Sequence, residues 1–152
     1  MKIEAARDAF ISDYEVLKFM SQLQRKHNWL FDDTDKKTTK KTKQYNHPEL
    51  ESITRDLVNY LTTNKNPDPE DPETGTTRPA KAGITKLNDA TFTKLMHALN
   101  QLALFKAEKL QIVNQLPTNI VHLYSIVEEC DNRFSEDQIK TILLAVQEAA
   151  QL

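Results

Sequence analysis

The chain has 152 residues, of which 39% are hydrophobic and 28% charged, and a formal net charge of −2. That length suits one domain, or one domain with an appendage, and the balance is that of a globular protein. A slightly acidic chain lacks the excess of positive charge that drives sequence-independent nucleic-acid binding, and no apolar run approaches the roughly 18–20 residues that cross a bilayer, so neither a membrane nor strong direct nucleic-acid binding is expected.

Residues 1–10, MKIEAARDAF, put Lys2, Glu4, Arg7 and Asp8 where a signal peptide needs an apolar core. Secretion is therefore not expected, and the lone cysteine, Cys130, fits a reducing compartment. The apolar residues here follow no clean period, which suits a short strand or a ragged helix. Ser12 and Glu15 then have the S-x-x-E form of a capping box. They predict a helix to about His27 with Val16, Met20 and Leu23 on one stripe and Leu17 beside it.

From Asp32 to Asn46 the pattern dissolves, and KKTTKKTK (36–43) reads first as a solvated loop, with an import signal or a phosphate-contacting patch as alternatives. A second helix is expected from Pro48, whose missing N–H suits a first turn, with Leu50, Ile53, Leu57, Tyr60 and Leu61 at helical spacing. Residues 64–83 hold four of the six prolines, both glycines and a cluster of acids. This composition predicts an extended linker. The expected domains are therefore 1–63, a linker at 64–83, and a helical bundle at 84–152.

Four helices are predicted in the bundle. Asn88 caps one with Phe92, Leu95, Met96, Leu99 and Leu102 inward. A second runs from Lys106 to Leu116 and stops at Pro117. Thr118 or Asn119 caps a third, with Ile120, Leu123, Tyr124, Val127 and Cys130 on one stripe and Val121 and Ile126 beside it. Ser135 and Gln138 open the last, with Ile139, Ile142, Leu143 and Val146 inward. The fold class is all-α.

The chemical inventory is thin. Both glycines fall in the linker, so no Gly-rich loop cradles a phosphate. The four histidines, His27, His47, His97 and His122, are scattered, and Cys130 has no thiol partner, so no metal-ligand set emerges. Cys130 reads as a buried structural thiol, and a Cys130–His122 pair is poorly placed on one helix. Glu128, Glu129 and Asp131 read as a solvated helix end, because paired acid/base carboxyls must face each other across a cleft. No cofactor, metal or catalytic residue is assigned.

Three blocks carry a family resemblance: AFISDYEVLKFM (9–20), YNHPELESITRDLVNYL (45–61) and LFKAEKLQIVNQLPTNIVHLYSIVEECDNRF (104–134). They closely resemble the small stalk subunits of RNA polymerase III, which are related to the fourth subunit of RNA polymerase II and to the small stalk protein of the archaeal polymerase. The animal counterpart is also called the CGRP-receptor component protein. The resemblance implies a non-catalytic nuclear protein with an N-terminal tip-associated part and a bundle like the HRDC domain of RecQ helicases. It implies a heterodimer with a larger OB-fold stalk subunit, attachment to the polymerase core, and support of initiation through the factor TFIIIB.

Within that frame Ile3, Ala6 and Phe10, with Tyr14 and Leu17, are the expected partner contacts, the alternative being that Tyr14 and Leu17 close the local core. Phe105, Leu116 and Pro117 are further interface candidates. Two rival functions remain. One is single-stranded nucleic-acid binding through Lys106 and Lys109, which the bundle's six Lys/Arg against eight Asp/Glu disfavour. The other is a cytoplasmic helical adaptor in receptor signalling.

Overall fold

A computed structural model describes residues 9–27, 29, 47–63 and 83–150. Among these residues there are seven helices and no strand, which is the all-α class expected. Ile3, Ala6, the lysine-rich stretch and residues 64–82 lie outside the described residues. By its internal contacts the chain divides into two units, one of residues 15–82 and one of residues 83–152 together with 1–14.

Helix α1 (Asp13–His27), in the unit 15–82 from Glu15 onward, ends on Arg25, Lys26 and His27, and the Arg25 and Lys26 charges complement the negative end of the helix dipole. The Trp29 N–H donates to the Gln24 carbonyl at 3.0 Å. The indole is buried, with the His27 ring 5.1 Å from it. Helix α2 (Pro48–Thr62) starts on Pro48 and carries Glu49 and Glu51 in its first turn. Leu61 is buried, and so is Thr54, whose hydroxyl donates to the Leu50 carbonyl at 2.7 Å and is thereby satisfied. Ile53 and Tyr60, expected on the inward stripe, are exposed.

The other unit is built on helices α3 (Asp89–Asn100) and α7 (Glu136–Ala150), which pack along each other. Leu95 and Leu99 face Ile139, Ile142 and Val146 in a core where Leu99 and Val146 have no exposed surface. Both helices begin on reciprocal caps. The Asn88 side chain accepts from the Thr91 N–H at 2.9 Å, and the Thr91 hydroxyl accepts from the Asn88 N–H at 2.9 Å. The Ser135 N–H donates to the Gln138 side chain at 2.9 Å, and the Gln138 N–H donates back to the Ser135 hydroxyl at 3.4 Å. A short 3₁₀ turn, Gly83–Lys86, packs on α7 and buries Ile84.

Helix α4 (Lys106–Gln115) ends on Leu116, which takes the left-handed conformation with φ 46°. Pro117 disfavours a helical residue before it, and a left-handed residue is the common way to close a helix. Leucine bears the steric cost of that conformation, of order 1–2 kcal/mol, because its side chain is buried. Gly83 lies against it so closely that a Cβ there would meet Leu116 Cδ1 at 3.3 Å.

The expected single helix from Asn119 to Cys130 is broken. Asn119 does cap helix α5, accepting from the His122 N–H at 2.8 Å, but α5 covers only Ile120–Ile126. Val127 is extended, Glu129 is left-handed at φ 47°, and a new short helix, α6, covers Cys130–Arg133. The break changes the direction of the chain so that Val127, Cys130 and Phe134 all reach the core. Ile120 and Tyr124, expected on the inward stripe, are exposed, as is Val121 beside them.

Candidate interaction surface

The break is organised by one carboxylate. Glu108, in the first turn of α4, caps its own helix by accepting from the Phe105 N–H at 2.8 Å, and it accepts from the Glu128 N–H at 3.3 Å. Both of its oxygens engage Arg133, at 2.6 and 3.1 Å, in a two-pronged ion pair. Arg133 also donates to the Glu128 and Ala103 carbonyls and lies over the rings of Phe105 and Phe134, 4.5 and 5.1 Å from their centroids. Burial alone raises the Glu108 carboxyl, but the Arg133 guanidinium and the two backbone donors outweigh it and hold the group below its ordinary 4.5. Sequence reasoning missed this node, because an F-x-x-E start lacks the Ser or Thr of a capping box and Arg133 lies 25 residues away.

The residues expected to meet partners fall into different environments. Phe10 is 84% exposed, and Ile11 beside it is exposed as well. Tyr14 stacks on Phe92 of α3 with centroids 4.9 Å apart, and its hydroxyl donates to Asp89 at 2.7 Å. Burial, together with Asp89, pushes the Tyr14 phenol up to about 12. The Asp13 N–H donates to the Asn114 side chain at 3.0 Å, a second tie between the start of α1 and the bundle. Leu17 is half-buried. Phe105 is 63% exposed, its ring covered on one side by Arg133. Leu116 and Pro117 are buried in the bundle's own interior.

Lys106 is exposed, while Lys109 donates to the Asn100 side chain at 2.9 Å. Cys130 is buried, and burial followed by the charge of Asp131 pushes its thiol up against the opposing pull of Arg133. Such a thiol is inert. His122 is 3.0 Å from the Gln115 side chain through Nε2. Glu128, Glu129 and Asp131 are exposed, in keeping with a solvated acidic turn. Among the described residues no group of three or more His, Cys, Asp and Glu could hold a metal ion, and no helix is long and apolar enough to cross a membrane. The surface chemistry that stands out is apolar contact area.

The model of the RNA polymerase Rpb4 family matches residues 10–150, and the chain belongs to that family of non-catalytic polymerase subunits. It is 53% identical over 156 residues to the DNA-directed RNA polymerase III subunit RPC9 of Saccharomyces cerevisiae, covering 94% of this chain and 96% of that protein. It is also 25% identical over 139 residues to the DNA-directed RNA polymerase III subunit rpc9 of Schizosaccharomyces pombe, covering 91% of each. This is the family to which the three sequence blocks point.

Proposed function

We propose that the chain is the small stalk subunit of a nuclear RNA polymerase III, paired with a larger OB-fold stalk subunit and supporting initiation through contacts with TFIIIB. The observation that carries this reading is the 53% identity to a polymerase III subunit along nearly the whole length of both proteins. The domain scheme we attach to it is a partner-binding part at 1–63, a linker at 64–83 and an HRDC-like bundle at 84–152. Ile3, Ala6, Phe10, Tyr14 and Leu17 form its partner contact. The exposed Phe10 supplies apolar area that a partner would cover, and Tyr14 beyond it stacks on Phe92. Phe105 is a second contact, whereas Leu116 and Pro117, the other two candidates, are buried.

Nucleic acid binding by the bundle is disfavoured by its excess of acids and by the engagement of Lys109 with Asn100. The test is co-expression with the larger stalk subunit, read by co-purification and hydrogen exchange. Stable co-purification with protection across residues 1–24 is expected. Protection confined to 84–152 refutes the interface, and a soluble monomer that fails to join the polymerase refutes the function.

A further inference from the structure

Helix α5 carries apolar surface that the fold does not use. Its inner face, Leu123, is buried, and Val127 just beyond it is buried too. Its outer side chains Ile120, Val121 and Tyr124 are 45%, 75% and 39% exposed. Positions 120 and 124 are one helical turn apart and 121 lies three before 124, so the three share one side of the helix. This side is presented rigidly: Asn119 caps the start of α5, and the Glu128 N–H just past its end is held by Glu108. A pre-ordered surface loses little freedom when a partner covers it.

The border of this face is acidic. Asp131 and Glu136 both act on the Tyr124 phenol, pushing it up to about 12. Glu128 and Glu129 are exposed in the turn that follows α5. Arg133, which sits among these acids, is committed to Glu108. His122, the titratable group on α5 itself, is engaged with Gln115. An apolar strip with such a border repels phosphates and anionic lipid headgroups and complements cations.

We infer that the outer face of α5 is a docking site for an amphipathic helix of a partner protein, whose apolar side covers Ile120, Val121 and Tyr124 and whose Lys or Arg residues meet Asp131 and Glu136. The inference deepens the stalk reading, which assigns the bundle to protein contact without naming a face.

The test uses the full chain labelled for NMR and a synthetic helical peptide of Leu and Lys. A peptide with Glu in place of every Lys, a uridine oligonucleotide and phosphatidylserine vesicles serve as controls. The Leu/Lys peptide is expected to shift the amides of 120–131, and to bind at least tenfold more tightly than the Leu/Glu peptide. Val121→Asp and the double variant Asp131→Asn with Glu136→Gln should each weaken it at least fivefold while leaving the circular dichroism spectrum unchanged. Equal binding of the two peptides, shifts centred elsewhere, or occupation of this face by the oligonucleotide or the vesicles would overturn the inference. Co-purification of Val121→Asp with the larger stalk subunit is measured in parallel and is expected to be unchanged. Failure of wild type to co-purify counts against the stalk reading, whereas failure of the titration counts against this face.

Discussion

In α3 and α7 the interior is closed by apolar side chains at helical spacing, and each helix start is satisfied by residues three positions apart. In the corner made by α4, α5 and α6, a partly buried ion pair ties the start of α4 to the turn between α5 and α6, and that turn needs a left-handed Glu129. The first region is stabilised by area removed from water, a non-directional effect that tolerates small shifts. The second depends on directional bonds to one carboxylate, so loss of that carboxylate leaves several donors unpaired together. The difference shows why one part of the bundle is regular and another bends. Apolar packing alone favours continuous helices, and a buried polar node can stabilise a break.

The largest effect is expected in the apolar α3–α7 region. Leu99→Ala empties a site with no exposed surface and should destabilise the chain by about 3 kcal/mol, read as a lower urea midpoint with unchanged slope. A cost below about 1 kcal/mol would mean that the α3–α7 core is loosely packed.

Glu108→Ala should come next, at about 2–3 kcal/mol, because it removes the carboxylate partner of Arg133 and leaves two backbone donors unpaired. The same group has a pH signature. Its folded-state value lies below the ordinary 4.5, so its contribution is complete above about pH 4.5 and is lost as pH falls through the lower folded value. The stability gap between wild type and Glu108→Gln should therefore narrow in acid unfolding curves below about pH 4.5. A gap independent of pH would show that the carboxylate charge is not what holds the corner.

Asn88→Ala removes a cap from the regular region and should cost about 1 kcal/mol by thermal or urea unfolding. The smallest effect has the opposite sign. Glu129→Gly relieves the left-handed backbone in an exposed side chain's place and should stabilise by about 0.5 kcal/mol. Destabilisation there would mean that the Glu129 side chain itself supports the turn.

The helix starts at Asn88, Asn119 and Ser135, and the stop at Pro117, were legible in the chain because capping and proline chemistry act over three or four residues. The apolar pattern of 119–130 was legible too, but its geometry was not. A run such as IVHLYSIV is equally consistent with one long buried helix or a short one that keeps an outer apolar face. The candidate contacts followed from the family resemblance and from the weak periodicity of the first residues, neither of which tells a buried residue such as Leu116 or Pro117 from an exposed one. Nothing local marks Tyr14 for Asp89 and Phe92, or Glu108 for Arg133.

By itself the sequence determined the all-α class, the helix caps and the family, since each rests on near-neighbour chemistry or on blocks of residues compared directly. Only the tertiary structure decided where the third bundle helix breaks, which apolar side chains of 104–134 remain outside, and which charges become partners. Those outcomes depend on groups that are distant in the chain and meet only after folding, where a buried carboxylate must find its donors.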